Sequence, residues 1–407
     1  MRNSEIISSY LQSEITRGSF PGAQFVIGED QQIIAEGAIG CALVEPERVP
    51  VTLETIYDMA SLTKPLVTAL CVMRLADRGM LDLKAPLGAY LREFEDKREI
   101  TLFQLLTHTS GLPNWLPLYL ETRDRAEVPE VIARILLDSH PADAARDVIY
   151  SDLNYILLGF VLERMSGARL DGLARKEIFD PLGLRRTMFN PPPELRHEIA
   201  ATEHGQTFEL ANAVADVTAR RRLMGVDTPV RFAADDHDAS MLELFITGPS
   251  GVSSSPSSST HHWRKNLIWG EVHDGNAHFM GGVAGHAGLF STAREAFRLA
   301  NQYLSGSELL STESLDLVTE NLTPGCSTSR SIAWILAETA DCSAGPALPR
   351  TAFGHTGFTG TSIWIDPNKR RVFVLLTNRV HPRLDAIDMK AIRQRFNELA
   401  MEMLSGL

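Results

Sequence analysis

Cysteine is scarce in this chain of 407 residues: there are four, Cys41, Cys71, Cys326 and Cys342. None stands at Cys-x-x-Cys spacing and none joins a Cys/His cluster with zinc-site spacing, so they read as free thiols, with Cys71 packed on an apolar helix. No apolar run approaches the roughly 20 residues needed to cross a bilayer. Positive charge is also lacking. The net charge of −12 argues against nucleic acid and anionic membranes as partners. The start, Met1-Arg2-Asn3-Ser4-Glu5, lacks the basic-then-apolar pattern of a secretory signal. The expectation is a cytoplasmic protein, or a periplasmic one if a signal has been removed. The glycine-rich segment Met280–Thr292 lacks the Gly-Lys-Ser/Thr ending of a phosphate loop. The acidic group Asp235-Asp236-His237-Asp238 has no second cluster to complete a metal site and reads as a solvated loop. No metal and no cofactor is expected.

What is present is an ordinary composition, 44% hydrophobic and 22% charged, in a chain long enough for two lobes. The stretch Tyr57-Asp58-Met59-Ala60-Ser61-Leu62-Thr63-Lys64 leads into an apolar, helix-like run, Leu66 to Leu75. A serine and a lysine three positions apart at a helix start share one face. The serine then meets outward-pointing N–H groups and the positive end of the helix dipole. A serine hydroxyl needs a neighbour to take its proton. A lysine can share in that if burial or a nearby cation lowers its pKa. On this reading Ser61 is a nucleophile and Lys64 part of its base. A capping serine with a solvated lysine is the plainer alternative.

Residues 4–17 have helical periodicity. The runs Ala23–Ile27 and Gln32–Ala35, joined by Gly28-Glu29-Asp30-Gln31, form a hairpin signal. The helix after Ser61 stops near Arg78-Gly79. In Thr101–Pro113, His108 is either a base or a histidine that holds a loop by hydrogen bonds, and the second reading is preferred. Val128–Leu137 is amphipathic. Tyr150-Ser151-Asp152 opens a helix running to about Met165, with Ser151 or Asp152 at its cap. Tyr150 is a functional phenol at a loop end or an aromatic staple. Residues 226–260, with the Ser/Pro/Gly run Ser250–Thr260, have the composition of a weakly ordered insertion. The glycines of 270–292 mark close backbone approach, either at a cleft wall or between lobes. Ser331–Ala337, Thr361–Ile365 and Arg371–Thr377 read as strands, and Leu384 to about Leu404 as a closing helix. The fold class is therefore α/β of the α+β type: one antiparallel sheet built from both chain ends, flanked by helices, with an all-α lobe inserted. The boundaries expected are 1–62 with 285–407 for the mixed lobe and 63–284 for the mainly helical one.

Ser61-Leu62-Thr63-Lys64, Tyr150-Ser151-Asp152 and His355-Thr356-Gly357, in that order, resemble the motifs of the serine β-lactamase and penicillin-binding-protein superfamily. The chain is most similar to its class C β-lactamase-like branch. That resemblance implies an acyl-enzyme hydrolase acting on an ester, an amide or a D-amino-acid peptide. Its substrate would be a small molecule or short peptide. In it Ser61 is acylated, Lys64 assists, and Tyr150 is general base and then acid. The backbone N–H groups of Ser61 and Phe358 form the oxyanion hole, and Asp152, His355, Thr356 and Gly357 line the substrate. A catalytically silent ligand-binding relative is the alternative. Two positions depart from the pattern. Asp152 replaces an asparagine, and an ionised Asp only accepts hydrogen bonds. His355 replaces a lysine and, with an ordinary pKa near 6.5, offers a partial charge at neutral pH. If that charge draws in an acidic substrate, affinity falls between about pH 6 and 8.

Overall fold

A computed structural model describes residues 4–95, 100–134, 147–223, 241–242 and 261–406. The acidic group at 235–238, the serine run and nearly all of the 226–260 insertion lie outside the described residues, as do positions 135–137 of the Val128–Leu137 helix. The described part of that helix is Val128–Arg134.

The molecule is built on a seven-stranded, wholly antiparallel sheet. Its strands are β1 (Gly22–Glu29), β2 (Gln32–Leu43), β3 (Val49–Pro50), β4 (Ile335–Leu336), β5 (Phe353–Thr356), β6 (Ser362–Asp366) and β7 (Arg371–Thr377). Their order is β3-β2-β1-β7-β6-β5-β4. The first and last segments of the chain meet at the centre, where Phe25 pairs with Leu375 and Val26 with Val374. The hairpin between β1 and β2 turns on Asp30 and Gln31, both at positive φ (50° and 66°), the geometry whose twist matches that of the flanking strands.

Both faces of the sheet's centre are covered, so β1, β6 and β7 are buried almost throughout, and alternation sorts their side chains between two cores. Val372, Val374, Leu376, Ile363 and Ile365 face the larger core, shared with the helices of the chain's middle. Phe373, Leu375, Trp364, Phe25 and Ile27 face the smaller core. That side is closed by the helices Ser4–Thr16 and Met389–Ser405, through Ile7, Leu11, Phe396 and Leu399. The middle of the chain supplies most of the helices, with Asp152–Ser166 buried along ten consecutive residues, Leu153 to Leu162. It also supplies strands of a small second sheet, in which Tyr57–Asp58 and Met188–Phe189 flank Leu289–Ser291.

Two local expectations change. The run Ser331–Ala337 is mostly a turn: Ala333 sits at φ +66°, and only Ile335–Leu336 pairs. The strand beside it, Phe353–Thr356, is the one that carries His355. The helix after Ser61 is three pieces: a 3-10 turn Ala60–Leu62, a π-helical stretch Lys64–Ala69 containing Pro65, which lacks an N–H, and an α-helix Leu70–Asp77.

Gly285 explains why the 281–288 segment is glycine-rich. A Cβ there would stand 1.9 Å from the Tyr155 carbonyl oxygen, so the segment lies directly on the Asp152–Ser166 helix. Cys41, Cys71 and Cys342 are free thiols, Cys71 among them buried. Among the described residues no helix is long and apolar enough to cross a membrane. Gly285→Ala is expected to lower the stability by about 1–3 kcal/mol, read as a lower urea midpoint at unchanged slope.

Candidate active site

Ser61 stands in the 3-10 turn Ala60–Leu62, entered through Ala60 at φ +47°. A side-chain-bearing residue held there costs on the order of 1–3 kcal/mol, and the surroundings enforce it. Buried Asp58 accepts from the Ala60 amide through Oδ1 and from the His273 amide through Oδ2, both at 2.8 Å. Thr63 Oγ1 donates to the Ala60 carbonyl at 2.7 Å and accepts from the Leu289 amide at 3.1 Å. The turn is clamped from both sides.

Lys64 is fully buried. Its Nζ donates to Ser61 Oγ at 2.9 Å and to the His286 carbonyl at 3.1 Å, and lies 2.7 Å from Asp152 Oδ1. Three partners match the three protons of an ammonium. Burial pulls its pKa down, but the Asp152 carboxylate and the Tyr150 phenol outweigh that and hold it above the ordinary lysine value. The expectation of a lysine made basic by burial is therefore corrected: Lys64 is an ammonium, because an anion sits against it. Asp152, expected only along the substrate, has this second engagement while also lining the cleft.

Tyr150 lies just before the cap of the Asp152–Ser166 helix, where Ser151 takes the cap conformation without a side-chain bond of its own to the helix. Its ring centroid is 5.1 Å from Lys64 Nζ and 5.2 Å from the Arg330 guanidinium carbon. The rings of His108 and His355 lie 4.6 and 5.7 Å from it. His108 holds the loop: its buried Nδ1 accepts from the Ser151 amide at 3.0 Å, and burial depresses its pKa well below the histidine range.

The opposite wall is the end of β5 and the turn after it. Gly357 passes so close to the serine segment that a Cβ would stand 2.1 Å from Thr361 Oγ1 and 2.6 Å from the Met59 carbonyl oxygen. Thr359 Oγ1 donates to the Asp58 carbonyl at 2.8 Å and Thr361 Oγ1 to that of Met59 at 3.2 Å. Arg379 Nε donates to the Phe358 carbonyl at 2.7 Å. The amides of Ser61 and Phe358 thus belong to two segments bolted to each other. His355 is buried, its Nδ1 donating to the Thr356 carbonyl at 2.9 Å. Burial, then the cations Lys64 and Arg330, push its pKa well below 6.5. This corrects the expectation of a partial charge: with two cations facing it, the imidazole stays neutral across the neutral range.

A cleft of about 650 Å3 runs over these groups, lined by Ser61, Tyr150, Asp152, His355, Thr356, Gly357 and Phe358. Ser61, Lys64 and Tyr150 are therefore brought together as the sequence suggested. Sequence reading missed Arg330 and Asp274, which line the same cleft. Arg330 is buried, and its Nε and Nη1 have no hydrogen-bond partner among the described residues. No motif surrounds it. Asp274 Oδ1 accepts from the Ala277 amide at 2.8 Å and lies 2.9 Å from His286 Nε2. Burial alone would raise its pKa, but His286, that amide and Lys64 hold it well below the usual carboxylate range. It belongs to the His273–Ala277 stretch whose glycine-rich neighbourhood was the available signal. Asp152, Asp274 and His286 have the spacing to hold a cation, and the Lys64 ammonium already stands against Asp152.

The sequence profile of the family described as Beta-lactamase matches residues 7–395. The chain belongs to the beta-lactamase family. Within the family it is 29% identical to the N-acetylmuramyl-L-alanine amidase of Bacillus subtilis (strain 168), covering 92% of this chain and 80% of that protein. It is 28% identical to a putative D-alanyl-D-alanine carboxypeptidase of Escherichia coli (strain K12), over 89% and 79% of the two chains. Among solved structures it resembles EstCE1, a hydrolase with promiscuous acyltransferase activity, at TM-score 0.67 and 20% identity, covering 99% and 97% of the chains. It also resembles a class C beta lactamase from Rhodobacter sphaeroides, at TM-score 0.65 and 18% identity over 98% and 100%. This beta-lactamase-family protein is a serine hydrolase of the beta-lactamase-like type.

Two outcomes follow from the charges. Asp152→Asn removes the anion that keeps Lys64 protonated, so the alkaline limb of kcat/KM on a p-nitrophenyl ester moves to lower pH by about one to three pH units; an unmoved limb would refute the coupling. Because His355 stays neutral, KM for an acidic substrate is expected to be flat between about pH 6 and 8, in the wild type and in His355→Gln alike.

Proposed function

We propose that this protein hydrolyses an amide of a peptidoglycan-type fragment through an acyl-enzyme, and that the bond is the one between an N-acetylmuramyl group and L-alanine. The observation that carries the chemistry is the contact chain Ser61 Oγ–Lys64 Nζ–Asp152 Oδ1, at 2.9 and 2.7 Å, beside the Tyr150 ring. The amidase relative of Bacillus subtilis supports the choice of bond. The order of the three motifs supports placement in the class C-like branch.

In this reading Tyr150 acts as the phenolate, which two cations, Lys64 and Arg330, would face. It takes the proton of Ser61. Oγ attacks the amide carbonyl, and the oxyanion receives the amides of Ser61 and Phe358, each such donor worth about 3 kcal/mol in the transition state. Tyr150 returns the proton to the departing nitrogen as the C–N bond breaks. Water then adds to the ester, giving its proton to Tyr150 and on to Ser61 Oγ as the C–O bond opens. Lys64 stays an ammonium throughout and stabilises both anions. His355, Thr356 and Gly357 form the wall along which the substrate lies. The cleft separates a mixed lobe, 1–62 with 285–407, from a mainly helical one, 63–284.

One observation favours a second reading, a D-alanyl-D-alanine carboxypeptidase: Arg330 lines the cleft with Nε and Nη1 free of hydrogen bonds among the described residues, which suits a terminal carboxylate.

A fluorophosphonate probe is expected to modify Ser61, seen by peptide mass spectrometry. Ser61→Ala should lose at least about 1000-fold in kcat and keep its fold. Folded protein labelled elsewhere, or not at all, would overturn the mechanism. Release of L-alanine from N-acetylmuramyl-L-alanine, against release of D-alanine from a D-alanyl-D-alanine peptide, separates the two substrates.

A further inference from the structure

The cleft continues past Ser61 into a corner that the hydrolysis mechanism does not use. Three elements meet there: the loop carrying Trp115, the start of the helix Thr207–Leu223 with Phe208, Glu209 and Asn212, and the turn at Asp274. They are fastened together. Asn276 Oδ1 accepts from the Leu118 amide at 2.9 Å and its Nδ2 donates to the Leu116 carbonyl at 2.8 Å. Glu209 Oε2 accepts from the Gly275 amide at 2.9 Å. Any Cβ on Gly275 would strike the Glu209 carboxyl at 2.0 Å, so glycine is required for that contact.

The chemistry of this corner is mixed in a particular way. Phe208 is a large apolar side chain left 39% exposed, its ring 5.0 Å from that of Phe358. Trp115, half-buried, packs against the cluster of Tyr119, Leu120, Ala213 and Trp263. Between them stand carboxyl and amide groups, Asp274 with His286 at its Oδ1. Asp274 is ionised. Glu209, only 8% exposed, is pushed up to about 7 by burial and by Asp274. Its carboxyl is buried against the Tyr119 phenol. Asn212 adds an exposed amide at the rim. Flat apolar faces beside carboxyl and amide groups match a ligand with one C–H-rich face and a rim of hydroxyl and acetamido groups. A pyranose ring presents that face with several polar groups around its rim, whereas an aromatic side chain carries a single polar edge.

We propose that this corner is a pyranose subsite, in which Trp115 and Phe208 face the ring of an N-acetylated amino sugar and Asp274, Glu209 and Asn212 bond its polar rim. The inference rests on the muramyl-amide reading and deepens it: the sugar, rather than the peptide, supplies most of the binding discrimination. Polar groups placed for hydroxyl and acetamido partners favour a ligand that carries them over an analogue that lacks them.

The test compares kcat/KM for N-acetylmuramyl-L-alanine with that for D-lactyl-L-alanine, the same amide without the ring. The wild type is expected to prefer the sugar-bearing amide by at least tenfold. Trp115→Ala and Asn212→Ala are each expected to reduce that ratio at least fivefold, mainly through KM, which a general loss of activity would not do. An unchanged ratio in both variants overturns the subsite even if muramyl amides are cleaved. Binding of N-acetylmuramic acid to folded Ser61→Ala, followed by saturation-transfer NMR, tests the subsite without turnover. Signal lost in Asn212→Ala supports it even if the amide is not the substrate. No transfer, or transfer equal in the variants, overturns it. Tighter binding of a sugarless L-lysyl peptide would also overturn it, by making the acidic corner an ammonium site.

Discussion

A buried ammonium held between a hydroxyl and a carboxylate sets the terms for everything else in the cleft. Lys64 has no exposure to water, and a charge so placed survives only with its hydrogen bonds filled. Asp152, Ser61 and the His286 carbonyl fill them. Removing one partner of such a pair costs about 3–5 kcal/mol, so the Asp152–Ser166 helix, the serine turn and the glycine-rich 281–288 segment are tied to one point. The close approach of Gly285 to Tyr155 is the packing that lets the three arrive there.

The same ammonium shapes its neighbours. It helps hold Asp274 ionised and helps keep His355 neutral. The cleft becomes polarised: cations and a neutral imidazole lie around Tyr150, and carboxyl groups lie towards Trp115 and Phe208. An asparagine in place of Asp152 would leave the lysine free to titrate lower. The Asp and His departures from the motif pattern are therefore coupled. One fixes a positive charge on Lys64, and the other accepts being uncharged beside it. The strained Ala60 belongs to the same economy of positions, since Asp58 anchors that residue and also the His273–Asp274 turn that faces the corner of the cleft.

Much of this was legible in the linear chain wherever a local rule operated. Short apolar runs bounded by turn residues marked β1, β6 and β7, and glycine marked the stop near Arg78-Gly79, where Gly79 sits at φ +69°. Serine and lysine three apart were expected on one face, and they touch. No apolar run marked the strand Phe353–Thr356, since its four residues include a glycine and a histidine; only the family motif at His355-Thr356-Gly357 pointed to it, and it forms because β6 and β4 pair with it on both sides. Ser331–Ala337 went the other way: apolar residues suggested a strand, yet the chain turns at Ala333 to bury Trp334.

The sequence by itself determined which groups meet at the cleft: a hydroxyl, an amine and a phenol in family order, with an acid and an imidazole at two altered places. Only the tertiary structure decided their charge states, because protonation depends on which charges stand within a few ångströms and on how much water remains. Lys64 looked like a base until Asp152 was found 2.7 Å away. Arg330 and Asp274 carried no signature in the chain, since a lone arginine or aspartate becomes part of a site only when folding places it there.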